Sequence, residues 1–450
     1  MGKLYAAVSV RDITPTDEII ALVNQEGRYH YEGIGHRLYL RTLVLTDREK
    51  RFVFFDTDLS SFTINEEAQE LFRKELGLEP QDYMFGTNRS HNTVSGWGMD
   101  LHDTKKPGTA KYAALCLNAM FESCREAMEN LVHARIGSAE GISKINCFRE
   151  QYTPCGNFEG LSHSAPDAPW LRVVRVEDLD GETIALLVNY SMQNCMICRN
   201  TEMGEYPYVT SDLAGEIIDY LEKAGKHKYP VLWANGGGAD RQPLLFGRLD
   251  YCDVDDDGNF FLREEVLPLE ATKRLMKMLA AEQGLDVIRT VESISNYSDE
   301  FHYWSGVKVT EVPGKKPLFP KINFYKPGDD VHPVKDSPVP YRYHLAVVND
   351  IAFTGVNCPS YSGAYKALKE MMPFPVTVFC DDNFGGIGMT CVAPPEVEEK
   401  DRYVHATLQS KAYTARIGFN AFMSGFGSLF EQYMLDTVYT YKEPGEAQGE

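Results

Sequence analysis

Tyr229-Pro230-Val231-Leu232-Trp233-Ala234-Asn235-Gly236-Gly237-Gly238-Ala239-Asp240-Arg241-Gln242-Pro243 is the stretch that decides the fold. A short apolar run stops abruptly at three glycines and a pair of opposite charges. Such a run is too continuous to face water on either side, so it reads as a strand buried on both faces. Glycine has no Cβ, which lets the backbone take positive φ and lets its N–H groups approach a neighbouring oxygen closely. The turn therefore has two readings: a tight strand-to-loop connection, or a ligand-cradling loop with Asp240 and Arg241 at its rim.

Working outward, similar apolar, β-branched runs occur at 40–45, 51–55, 171–176, 183–190, 344–348 and 376–380, and each reads as a strand. Between them, apolar residues recur at three and four over 66–76, 110–132, 212–224, 264–282, 364–371 and 403–440, the period of amphipathic helices. The pattern is α/β, with mixed sheet layers and flanking helices. Strand 183–190, helix 212–224 and strand 229–234 form a βαβ unit. Its carboxyl edge carries both Gln193-Asn194-Cys195 and the triple-glycine turn, the usual place for a ligand of such sheets.

Residues 1–442 are expected to form one large domain. The segment 313–340 contains seven prolines and reads as a surface excursion that could divide it into two lobes, and 443–450 reads as an acidic tail. A hydrophobic share of 43% and a charged share of 24% suit an ordinary globular core. The formal net charge of −20 over 450 residues disfavours nucleic acid and anionic membrane as partners and leaves a small molecule as the expected ligand. The first residues lack the apolar core of a signal peptide, and ten scattered cysteines suit reduced thiols, so the expected compartment is the cytoplasm. Cys195 and Cys198 alone have redox spacing, with no second pair to complete a zinc site.

Two further stretches carry chemistry. Asp253, Asp255, Asp257, Asn259 and Glu264, with Gly258 between them, match the spacing of a calcium loop, although no helix precedes it. The segment 86–98 sets Arg89, His91 and Asn92 among glycines after the apolar Tyr83-Met84-Phe85, and His91 is a candidate general base or metal ligand. Asp56 and Asp58 end another strand on one face, as loop caps or as a functional pair. The resulting candidate site has His91, Asp240 and Arg241 as catalytic residues. Arg89, Asn92, Gln193, Asn194, Asn235, Gly236, Gly237, Gly238 and Gln242 are its substrate-binding set, with the glycine N–H groups as an oxyanion site. A thiol site of Cys195 with His91 and Asp240 is a further combination that nothing in the sequence requires.

The order of these segments resembles the N-terminal catalytic domain of neutral/alkaline non-lysosomal ceramidases, zinc amidases that cleave ceramide. Asp12-Ile13-Thr14-Pro15 resembles the family's D-I-T-P signature. Gly33-Ile34-Gly35-His36-Arg37-Leu38-Tyr39-Leu40-Arg41 resembles its G-I-H-x-R-L-Y-x-R, and Asp178-Leu179-Asp180-Gly181 its D-G turn. The stretch 187–193 is similar to the strand leading to its second zinc histidine, and 235–243 to its glycine–aspartate loop. The pieces span most of the chain without the family's C-terminal β-domain.

The resemblance implies the fold but not the chemistry. Gln193 stands where the second zinc histidine belongs, and Gln242 where the nucleophilic serine precedes a proline. Ser90-His91-Asn92-Thr93 keeps one histidine of the T-H-T-H motif, which leaves His91 as the zinc candidate. The ligand glutamate and tyrosine have no counterpart in 354–359 or 386–389. Amides replace imidazole poorly at zinc. The expectation is thus a divergent hydrolase of a small polar or amide substrate rather than ceramide, with a non-catalytic ligand-binding or homo-oligomeric member of the fold as the alternative.

Overall fold

A computed structural model describes residues 2–27, 30–94, 99–100, 105–162, 167–197, 207–245, 248–316, 334–381, 383–385, 392–394 and 410–439. Its largest sheet uses strands β1 (Tyr5–Asp12), β2 (Tyr39–Thr46), β3 (Arg51–Thr57), β4 (Tyr83–Thr87), β5 (Val132–Ile142), β6 (Trp170–Asp178), β7 (Thr183–Tyr190) and β8 (Val231–Asn235). Their spatial order is β8-β7-β6-β5-β1-β2-β3-β4, with the short β9 (Tyr297–Ser298) paired to β5. A four-stranded sheet follows in order β10 (Tyr303–Lys315), β11 (Lys335–Val348), β12 (Ile351–Val356) and β13 (Val376–Cys380). The pairs β3/β4, β7/β8 and β12/β13 are parallel, and the other pairings within the two sheets are antiparallel.

The two sheets face each other. Phe52, Phe54, Met84, Val174, Leu187 and Leu232 of the larger meet Ala346, Ile351, Phe353, Val378 and Cys380 of the smaller in one buried cluster. The Phe52 and Phe353 rings lie 4.9 Å apart across that interface. Helices cover both outer faces. α1 (Asp17–Gln25), α2 (Glu66–Leu76) and α3 (Pro107–Glu129) pack with residues of β1 to β4, while α4 (Asp212–Ala224) and α5 (Leu269–Glu292) pack with residues of β6 to β8. α6 (Ser362–Met371) and α7 (Ala415–Thr437) lie on the outer face of the small sheet. A strand buried on both faces must be apolar at nearly every position, which is why these strands read as continuous runs.

The α/β reading holds, and β7, α4 and β8 form the expected parallel unit. α2 matches its predicted span because its stops are local: Asn65 accepts from Ala68 N at the start, and Gly77 sits at φ +63° at the end. Two spans differ. Residues 264–266 continue a strand, Phe260–Val266, and the helix starts at Leu269 after Pro268, whose ring suits a helix entry. The proline-rich segment is not an excursion throughout, since β10 and β11 remain paired out to Lys315 and Lys335. Residues 403–409 of the predicted last helix lie outside the described residues. No helix among the described residues is long and apolar enough to cross a membrane.

Candidate functional site at the carboxyl edge

The loops that leave β4, β7, β8, β12 and β13 at their carboxyl ends are laced together by hydrogen bonds. His91 N donates to Asn194 O at 3.1 Å, Gln193 N to Arg241 O at 3.0 Å, and Ala239 N to Ser360 O at 2.9 Å. Asn235 Nδ2 donates to Asp381 Oδ1 at 2.8 Å, and Asn383 N to Val356 O at 2.8 Å. Five connections far apart in sequence therefore converge, as expected of parallel strand pairs that end on one edge.

At the centre of the junction, His91 Nε2 lies 2.7 Å from Gln193 Oε1. An amide oxygen only accepts, so the contact assigns the ring proton to Nε2 and its lone pair to Nδ1. His91 is half-buried, and Gln193 is fully enclosed. The loop carrying Gln193 is held by Asp212, whose carboxylate accepts from Met196 N at 3.0 Å and Ile197 N at 2.9 Å. Burial pushes the Asp212 carboxyl up, against the pull of those N–H groups. On the other side, Asn92 Nδ2 donates to Tyr208 O at 2.5 Å, and the Asn194 amide donates to Asn88 O. Arg89 is buried at φ +58°, and its charge acts on Asp381. Burial raises the Asp381 carboxyl, while Arg89, the Asn235 amide and the N–H groups of Ser360 and Gly238 oppose that rise.

Asp240 and Arg241 are not at the rim. Their side chains are 5% and 4% exposed, and both turn toward the start of α6. Asp240 accepts from Ser362 N at 2.8 Å and from Ser362 Oγ at 2.7 Å, while Arg241 Nε donates to Ser362 Oγ at 3.0 Å. The Arg241 guanidinium also stacks over Phe148 at 5.4 Å. Asp240 thus satisfies an open helix N–H and has an internal partner, the arrangement of a helix cap. Gln242 is likewise internal, donating to Gly160 O at 2.7 Å from a strand paired with Asn146–Thr153.

The glycines serve packing. A Cβ on Gly236 would lie 2.9 Å from Arg172 Nη2, one on Gly238 would lie 2.6 Å from Met192 N, and Gly237 sits at φ +68°. Gly236 N donates to Tyr190 O at 2.9 Å, and Gly238 N donates to Asp381. Those two N–H groups are committed, which removes them from the expected oxyanion site. Cys195 is buried with its thiol toward Gln193 O, and Asp240 pairs with Ser362, so the thiol combination with Asp240 is not assembled; Cys198 lies outside the described residues.

The zinc expectation meets a donor set of one imidazole among amides. Zinc takes nitrogen, thiolate or carboxylate ligands, about three of them in a catalytic site. Here Nε2 of His91 faces the carbonyl oxygen of Gln193, and the described residues contain no group of three His, Cys, Asp or Glu placed for a metal. Among the described residues, the donors present do not fit a ceramidase-type zinc centre. The calcium spacing falls on a hairpin. Asp253, Asp255, Asp257 and Asn259 lie along a β-hairpin of Arg248–Val254 and Phe260–Val266, which also carries Glu264. Asp255 accepts from Asp257 N at 3.0 Å and Asn259 N at 2.8 Å, Asp253 pairs with Arg263 at 3.1 Å, and Gly258 takes φ +83° for the turn. These bonds are those of an Asx turn.

Sequence reasoning missed the polar frame behind the loops. Asn189 donates to Ala234 O and Phe379 O, both at 2.9 Å, and accepts from Phe379 N at 3.1 Å, tying the two sheets together. Arg41 lies 3.0 Å from Asp58 and 3.5 Å from Asp56 in full burial, so the two acids do share a face and enclose a cation. Tyr361 donates to Glu150 beside the glycine turn. None of these partners is adjacent in sequence, so no local signal announces them.

No protein-family model matches the chain, and no curated protein matches its sequence. Two solved structures match over 96% of this chain. One, described as a ceramidase complexed with C2, has a TM-score of 0.69 at 11% identity and is covered over 76% of its length. The other, the neutral ceramidase from Pseudomonas aeruginosa, has a TM-score of 0.67 at 12% identity and 75% coverage. The chain thus has the α/β fold of the neutral ceramidases, carried on a sequence that shares little more than a tenth of its residues with them.

Proposed function

We propose that the chain is a divergent hydrolase of the ceramidase fold, acting on a small polar or amide substrate at the carboxyl-edge junction. The observation that carries this reading is the 2.7 Å contact of His91 Nε2 with Gln193 Oε1. Holding one ring nitrogen fixes the tautomer and orientation of an imidazole, which a general base needs. His91 would take the proton from an attacking water, with Gln193 as its positioning residue and Asn92 and Asn194 forming the polar wall of the junction. The fold's known relatives support hydrolysis by analogy, and the chemistry itself is argued from the site.

The test is turnover of a panel of short N-acyl amides and esters by the full chain. His91→Ala should lower kcat by about 100-fold or more, the usual worth of a positioned base. Turnover unaffected by His91→Ala would overturn the assignment. A second reading, a non-catalytic small-molecule binding protein, is favoured by the inward turn of Asp240 and Arg241 onto Ser362, which spends on structure the charges a site could use. It expects no turnover and ligand-induced stabilisation that survives His91→Ala.

A further inference from the structure

Two cysteines stand apart from the other described thiols. Cys116, Cys124, Cys147, Cys195, Cys358 and Cys380 are buried, whereas Cys155 and Cys252 are both partly exposed. Their sulfurs are 2.6 Å apart although 97 positions separate them in sequence. Cys155 lies in the turn of a hairpin, Asn146–Thr153 with Gly156–Ser162, and its N donates to Thr153 Oγ1 at 3.1 Å. Cys252 lies mid-strand in the acidic hairpin, opposite Leu262. The pair is therefore a point at which a covalent bond would join two hairpins that belong to separate sheets.

We infer that Cys155 and Cys252 are a thiol–disulfide pair whose oxidation clamps the acidic hairpin to the hairpin that floors the candidate site. The first hairpin has a direct stake in the site: its Asn146–Thr153 strand pairs with Arg241–Pro243, and Gly160 on its other strand receives the Gln242 amide. The chain segment closed by the bond runs from 155 to 252 and includes β7, α4, β8, Gln193 and the glycine turn. A low-molecular-weight disulfide such as oxidised glutathione supplies the oxidant. One thiolate attacks it, forming a mixed disulfide and releasing one glutathione thiol. The second cysteine then attacks the protein sulfur of that mixed disulfide and releases the second, so two protein thiols are oxidised and one small disulfide is reduced. Exposure of both thiols gives the reagent access that buried cysteines lack.

The experiment treats the full native chain with oxidised glutathione or with dithiothreitol, alkylates the remaining thiols, and maps peptides by mass without reduction. The expected result is a Cys155–Cys252 linked peptide in the oxidised sample alone. Cys252→Ser should instead leave glutathione on Cys155 and spare the thiols that the fold buries, which shows that the variant is folded around an accessible thiol. The clamp is read by thermal unfolding: closing a loop of this length constrains the unfolded chain, so the oxidised form should melt several degrees higher, and Cys252→Ser should be indifferent to oxidation. Independent glutathionylation of both cysteines, or alkylation of both after oxidation, would overturn the pairing. A linked peptide with an unchanged melting midpoint would overturn the clamp.

Discussion

Replacing Asp240 tests whether the charged end of the glycine turn is structure or site. Its carboxylate is almost fully enclosed, accepts from Ser362 N and Oγ at 2.8 and 2.7 Å, and lies 3.4 Å from Arg241 Nε. Hydrogen bonds to a buried charge contribute about 1.5–3 kcal/mol each, and removing one member of a buried ion pair costs about 3–5 kcal/mol because the other charge stays buried. The two figures describe overlapping contacts and do not add. Asp240→Ala should therefore lower unfolding free energy by about 3–5 kcal/mol. Asp240→Asn keeps one acceptor for Ser362 and should cost roughly half as much. The assay is denaturant unfolding followed by tryptophan fluorescence and by far-UV circular dichroism, whose coincidence tests for a single transition. An Asp240→Ala protein within about 1 kcal/mol of the parent would refute the capping role, since an exposed residue away from such contacts costs little. If it also lost turnover, Asp240 would return to the site as a working carboxylate.

Other outcomes follow from the same frame. Burial, opposed by Arg41, pushes the Asp56 carboxyl up to about 8. A folded-state value above the unfolded one, near 4, gives stability that is lost as pH rises, here by up to about 1.4 kcal/mol per unit between about pH 4 and 8 and levelling beyond. Asp56→Asn should flatten that slope in parallel denaturation series, and an unchanged slope would assign it elsewhere. Gly238→Ala should destabilise by about 1–3 kcal/mol, because its Cβ would sit 2.6 Å from Met192 N; equal stability would return the glycine to a ligand role. Asn189→Ala should cost about 2–4 kcal/mol by stranding Phe379 N–H and two carbonyls between the sheets. Amide exchange at Phe379 should accelerate with it, and unchanged protection there would show that the sheets are held by apolar contact alone.

The layers were legible because they are governed by local periodicity. β7 and β13 are runs apolar enough to be buried on both faces, and α2 carries its own cap at Asn65 and its own stop at Gly77. The boundaries that slipped are those where sequence period and backbone disagree. In 264–266 an alternating strand leads directly into a helix, and the two periods cannot be separated over so few residues. The dispersed matches to D-I-T-P and to the D-G turn mark strand ends and turns, which geometry constrains more tightly than side-chain identity. A fold can therefore persist at 11% identity.

The edge on which these loops meet was legible, and the part each side chain plays there was not. The sequence put Gln193 and the glycine turn on one edge, and hydrogen bonds join them there. Alternation put Asp56 and Asp58 on one face, yet nothing local pointed to Arg41, which reaches them from the neighbouring strand. The glycine turn shows why role is harder to read than place. A missing Cβ is required wherever another atom must come close, and the requirement is the same for a ligand oxygen as for Met192 N. Charge at the turn has the same ambiguity: Asp240 and Arg241 would look identical in sequence whether they faced a substrate or Ser362. What separates the cases is the identity of the atom on the far side, and in this chain that atom belongs to a residue 46 or 122 positions away. His91 differs because its ring partner Gln193 comes from a separate loop 102 positions away, so the contact could not be read from either stretch alone.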